Sequence, residues 1–273
     1  FIQSVPLVER FVVLWISFLL LCKNNCTLIL SYLYCTQKNN NTMKILEIKV
    51  MNGPNYWSVK RHKLIVMLLD LETLEQQPTN TIPGFLERIK QMFPSMNSHR
   101  CSEGVEGGFF KRVEEGTWMG HVIEHIALEL QTLAGMETGF GRTRSAGKEG
   151  VYHVVFSYVE EAVGKATASA SVEIAQRLIE GHDFDLETFI QELRVIREKV
   201  RLGPSTGSIV QEAINRNIPW IRLNKNSLVQ LGYGINQRRI QATVASTTSN
   251  IAVEIACDKE DTKNILEAAE VPV

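Results

Sequence analysis

Apolar and polar residues alternate from Lys44 to Val50, the period of a half-buried strand, and Asn52-Gly53-Pro54-Asn55 breaks the run with turn formers. Leu64 to Leu69 is continuously apolar and short enough for a buried strand. Phe85, Ile89 and Met92 recur at helical spacing between Gly84 and Phe93, and Pro94 ends that pattern. Ser95 to Gly116 is rich in glycine and charge, so it reads as a loop with room for one short strand. The longest helical pattern runs from Thr117 to Leu133. Met119, Val122, Ile126, Leu130 and Leu133 form its apolar stripe, Thr117 is the expected N-cap, and Ala134-Gly135 closes it.

Val151 to Tyr158 predicts another strand, followed by helices over about 160–179 and 186–197. Strands and helices in this order give an α+β domain. Gly203-Pro204-Ser205-Thr206 reads as a junction, with Thr206 capping a helix over 207–216. Strands are expected over 220–223, 228–233 and 239–245, then helices over 249–257 and 259–269. Repeats are not evident.

An apolar fraction of 44% in 273 residues can fill a sizeable core. Twenty-nine basic residues face 30 acidic ones, so no net field draws nucleic acid or an anionic membrane surface. The cysteines, Cys22, Cys26, Cys35, Cys101 and Cys257, have no paired metal spacing. That usage fits a reducing cytoplasm, with Cys101 and Cys257 read as small hydrophobes.

Residues 1–42 differ in composition from the rest. Their apolar runs, Phe11 to Cys22 and a second ending near Tyr34, are each shorter than the roughly 20 residues a membrane-spanning helix needs. The first methionine is Met43, so 1–42 is read as upstream sequence translated in frame, with a membrane anchor as the alternative. The expected organisation is therefore 1–42 as leader, 43–201 as an α+β domain, and 202–273 as the start of a second domain.

His121-Val122-Ile123-Glu124-His125 has the form H-x-x-E-H. Residues four apart share a helix face, so both imidazoles can address one Zn²⁺, with Glu124 placed as a general base toward water. A third protein ligand is needed, and Glu161, or else Glu160, is the expected one because both sit at a strand-to-helix junction. The plainer alternative is two partly buried histidines on an amphipathic helix, with Glu124 in solvent. Arg142 and Arg144, beside glycines, are candidates for gripping a carboxylate. The plain alternative for them is a solvated loop.

Leu202-Gly203-Pro204-Ser205-Thr206, Ile218 to Asn224, Ser227 to Gly234, Arg239 to Thr243 and Ile251 to Lys259 are similar to the start of the ATP-grasp domain of cyanophycin synthetases. Met43 to Leu46, Gly53 to Trp57, Gly120 to His125 and Gly139 to Arg144 resemble the N domain of that family. The resemblance implies a ligase that uses ATP and Mg²⁺ to extend a poly-aspartate backbone and to attach arginine to its side chains, through acyl phosphates. It implies that 202–273 is a truncated α/β ATP-grasp subdomain, ending before the nucleotide-binding residues, so no residue for that cofactor is expected here. It also implies a cytoplasmic homo-oligomer whose N domain holds cyanophycin. In some members the H-x-x-E-H site resembles a metallopeptidase that trims polymer into primers. A polymer-binding module without catalysis is the alternative.

Overall fold

Alternation in the first strand and continuous apolarity in the second have one cause, their places in a sheet. A computed structural model of the chain describes residues 42–59 and 62–272. The expected leader, its anchor alternative and Cys22, Cys26 and Cys35 lie outside the described residues, apart from Thr42. Strands β1 (Lys44–Met51) and β2 (Leu64–Asp70) pair antiparallel, with β1 at the edge and β2 inside. An edge strand with one wet face alternates, whereas an interior strand covered on both faces does not. Accordingly Leu64, Ile65, Val66, Met67 and Leu69 are all buried.

Helix α1 (Phe85–Met92) forms where its periodicity predicts, after Gly84 in the left-handed region. The expected loop over 95–116 is instead two short 3-10 turns, Pro94–Ser98 and Cys101–Glu103, and a helix, α2 (Gly108–Glu115). Phe109, Phe110 and Val113 are buried there at helical spacing. The glycines that suggested a loop are its terminators, Gly107 at φ +76° and Gly116 at φ +109°.

Helix α3 (Met119–Leu133) follows, preceded by Trp118 as N-cap with no side-chain bond. Thr117 is not the cap; its hydroxyl meets His121 instead. Beyond α3 comes a strand with no apolar alternation, β3 (Gly141–Ser145), paired antiparallel with β4 (Val151–Ser157). The sheet order is β1-β2-β4-β3. One face, with Ile65, Met67, Val154 and Phe156, joins the main core with α3 and α4 (Glu161–Glu180). Gln131 of α3 donates to Ser157 O at 3.0 Å and ties the helix to β4. Gly164 of α4 is required, because a Cβ there would lie 2.8 Å from Tyr158 Cβ. The other face buries Leu64, Val66 and Val155 with Trp57.

Helix α5 (Leu186–Val200) starts at Asp185, whose side chain accepts from Thr188 N. The remainder has its own small core of Val210, Val229 and Ile240. Helix α6 (Pro204–Asn215) opens with proline in its first turn, so Thr206 lies inside the helix rather than capping it. It is buried, with its hydroxyl 3.4 Å from Ala242 O. Strands β5 (Trp220–Arg222), β6 (Leu228–Leu231), β7 (Arg238–Gln241) and β8 (Val244–Ala245) make an antiparallel meander. The single strand expected over 239–245 is split by a turn at Ala242, φ +52°. Helices α7 (Asn250–Cys257) and α8 (Lys259–Ala268) close the described chain, capped by Ser249 and Asp258.

Both sheets are antiparallel, so the class is mixed α+β throughout, and the α/β description of the second part does not hold among the described residues. No helix among the described residues is long and apolar enough to cross a membrane.

Candidate functional site

His121 and His125 stand one turn apart on α3, their ring centroids 4.8 Å apart and nearly perpendicular. The 3-10 turn before α2 brings Cys101 to them, with Sγ 3.1 Å from His121 Nε2. One ligand atom from each of Cys101, His121 and His125 lies within 4.8 Å of the others. The turn is pinned by Phe109 N donating to His99 O at 3.1 Å and by Gly108, where a Cβ would lie 2.2 Å from Arg100 O. Cys101 itself sits at φ +49°, a conformation that costs a non-glycine residue roughly 1–3 kcal/mol and persists where surrounding contacts impose it.

The outer nitrogens of both histidines are occupied. His121 Nδ1 is 3.1 Å from Thr117 Oγ1, and His125 Nδ1 is 2.9 Å from His99 Nδ1. His99 Nε2 in turn lies 2.7 Å from Glu129 Oε2, and Ser95 Oγ donates to the other oxygen. Burial raises the Glu129 carboxyl, but the bonds from His99 and Ser95 outweigh it and hold the group below its ordinary value. An ionised Glu129 accepts from His99 Nε2–H. With that proton on Nε2, Nδ1 of His99 is placed to accept from His125 Nδ1–H, an arrangement that leaves the lone pair of His125 on Nε2.

Burial also keeps the imidazoles neutral. His121 is lowered to about 4 by desolvation, with Arg112 adding to it. His125 is held well below its ordinary value by desolvation, then by His121 and His99. Neutral imidazoles together with a cysteine sulfur that binds as thiolate form a donor set suited to Zn²⁺.

Glu124 is 6% exposed on the same helix. Thr143 Oγ1 of β3 donates to its Oε2 at 2.6 Å. Gly141 stands against the other oxygen, where a Cβ would be 2.2 Å from Oε1, so a larger residue would force the carboxylate or the strand to shift. Burial pushes the carboxyl up to about 7, against the lowering effects of the Thr143 bond, Arg144 and Arg142. These groups line a cavity of about 810 Å³ together with Arg142 and Arg144.

Arg142 and Arg144 are thus on the edge strand β3 rather than in a loop. Arg142 Nη1 donates to Trp57 O at 3.3 Å, and its guanidinium lies over Phe140 at 5.8 Å. Glu160 and Glu161 are not brought to the histidines. They line a different cavity with Lys63 and Arg197, and Glu161 pairs with Lys165 at 2.5 Å. The third donor beside His121 and His125 is Cys101, which the sequence reading took for a small hydrophobe. His99, Thr143 and Glu129 were also missed. Only Glu129 carried a signal, since it extends the 121–125 spacing by another turn.

The site thus sits in a mixed α+β domain, with a Cys, His and His cluster beside a buried glutamate. Residues 66–180, which hold all four of those side chains, match the cyanophycin synthase-like N-terminal domain. Over 234 residues the chain is 51% identical to the cyanophycin synthetases of Trichormus variabilis and of a Nostoc species, and 50% identical to that of a Synechocystis species. These matches cover 85% of this chain, which spans about a quarter (26–27%) of the length of those relatives. The chain is a homologue of the N-terminal region of cyanophycin synthetases.

Proposed function

We propose that the chain is the polymer-handling front part of a cyanophycin synthetase and that its cavity hydrolyses peptide bonds of the polymer. The observation that carries this reading is the convergence of Cys101, His121 and His125 within 4.8 Å, beside the buried carboxylate of Glu124. Cys101 as thiolate and the two neutral imidazoles would hold a Zn²⁺ ion. Zinc bound there would supply a Lewis acid, lowering the pKa of water to about 7 and polarising a carbonyl.

The chain's own residues have separate tasks. Glu124 accepts the proton that water loses as its oxygen bonds to the peptide carbonyl carbon, and returns it to the amine that leaves. Thr143 holds the carboxylate through its 2.6 Å bond. Glu129 and His99 fix the tautomer of His125, and Thr117 orients His121. Arg142 and Arg144 anchor carboxylates of the polymer at the cavity wall.

In the same proposal, 43–201 is the N domain and 202–273 begins an ATP-grasp domain of a longer parent. That parent joins aspartate and arginine with ATP and Mg²⁺ in the cytoplasm as a homo-oligomer. The 51% identity over 234 residues, 85% of the chain, supports the second part of the reading. The arginine pair on β3 equally favours a module that holds polymer without turning it over.

Metal analysis of the purified chain, paired with peptide release from cyanophycin by wild type and Glu124→Gln, separates these readings. Stoichiometric zinc with release lost in Glu124→Gln supports the hydrolase. Polymer binding without metal or release supports the module instead.

A further inference from the structure

Among the described residues, strand β3 ends its sheet, pairing with β4 alone. Two backbone bonds, Ser157 N to Phe140 O at 2.8 Å and Ala146 N to Val151 O at 2.9 Å, fix the phase of that ladder. Hydrogen-bonded pairs alternate in an antiparallel ladder, so Arg142 and Arg144 direct their backbone groups to Val155 and His153. Gly141, Thr143 and Ser145 therefore turn their N–H and C=O groups away from the sheet. Among the described residues these outward groups have one partner, the Arg144 guanidinium, 3.2 Å from Thr143 O.

An open row of backbone groups is a template for another strand, and proteins usually cover it or blunt it. Here the open row belongs to the strand that walls the cavity. Gly141 touches the Glu124 carboxylate and Thr143 bonds to it, so whatever pairs with β3 lies within reach of that group. Arg142 and Arg144, two residues apart, share the opposite sheet face about 6.6 Å from each other along the strand. That spacing suits carboxylates on alternate residues of an extended chain.

We infer that β3 binds its substrate by strand addition: an extended, carboxylate-bearing peptide pairs its backbone with Gly141, Thr143 and Ser145 while Arg142 and Arg144 take its acidic groups. This rests on the hydrolase reading for its purpose but not for its geometry. Backbone pairing supplies affinity with little regard to side chain, and the arginines supply the preference for acidic groups. It also sets one peptide bond of the substrate in a fixed register beside Glu124, which side-chain contacts alone would not do.

The test is amide hydrogen exchange on the full chain, as wild type and as Glu124→Gln, with and without an oligo-aspartate peptide. Exchange at Gly141, Thr143 and Ser145 is expected to slow at least about tenfold on binding, while Arg142 and Arg144, already bonded to β4, stay unchanged. A second arm methylates the amides of the peptide one at a time. Every second position should weaken binding about tenfold and its neighbours hardly at all. Uniform slowing across β3, binding with no effect on β3, absence of binding, or methylation effects without a period of two would each overturn the inference. Because both arms read binding, a chain that shows the period-two pattern but cleaves nothing refutes the hydrolase reading and leaves strand addition standing.

Discussion

His99 Nδ1 lies 2.9 Å from His125 Nδ1, with the other nitrogen of His99 held by Glu129 at 2.7 Å. A carboxylate, a histidine and a second histidine thus form one line that ends on the cavity. Outer partners of this kind commonly contribute 10–100-fold in metal affinity by fixing ring and tautomer (about that range). Glu129→Gln, which keeps the shape of a side chain only 1% exposed, should weaken zinc affinity by roughly that factor while the fold is retained. Competition with a chelator measures it, and unchanged affinity would detach Glu129 from the site.

The same carboxyl should leave a trace in stability against pH. Its pKa in the folded protein is below the ordinary 4.5, because the bonds from His99 and Ser95 exceed the effect of burial. A depressed acid contributes stability that is full above its unfolded pKa and fades as pH falls through the folded one. The stability gap between wild type and Glu129→Gln should therefore be constant above about pH 5 in this group's contribution and shrink below it. Denaturant titrations across that window give the gap directly, and a gap that widens in acid would reverse the sign assigned here.

Gly141→Ala addresses the approach of β3 to α3. The added Cβ would fall 2.2 Å from Glu124 Oε1, and overpacking of this sort costs about 1–3 kcal/mol. The carboxylate must swing away or the strand must move. Peptide release should be lost, zinc content kept, and Tm lowered by several degrees, as read by calorimetry alongside metal analysis. Full activity in Gly141→Ala would show that Glu124 does not need its present position.

Much of this architecture could be read from spacing. The stripe Met119, Val122, Ile126, Leu130 is long enough to define α3, and the helix then places His121, Glu124 and His125 by geometry alone. Features set by tertiary contact were not legible. Helix α2 is only eight residues long and lies among glycines, so its buried Phe109, Phe110 and Val113 were outvoted by local turn propensity. Strand β3 has no apolar alternation, since its register comes from β4 and its side chains face a cavity and solvent. Cys101 reaches His121 through a 3-10 turn held by α2, and nothing in their separation along the chain announces it. Glu161 satisfied a local criterion, a strand-to-helix junction, yet that junction opens on a different cavity.

X-ray absorption at the zinc edge of the metal-loaded chain tests the assembled site most directly. One sulfur at about 2.3 Å and two nitrogens at about 2.0–2.1 Å are expected, with the sulfur lost in Cys101→Ser and the spectrum unaltered in Glu161→Gln. A shell of nitrogen and oxygen alone, or one that changes with Glu161 and not with Cys101, would contradict the account.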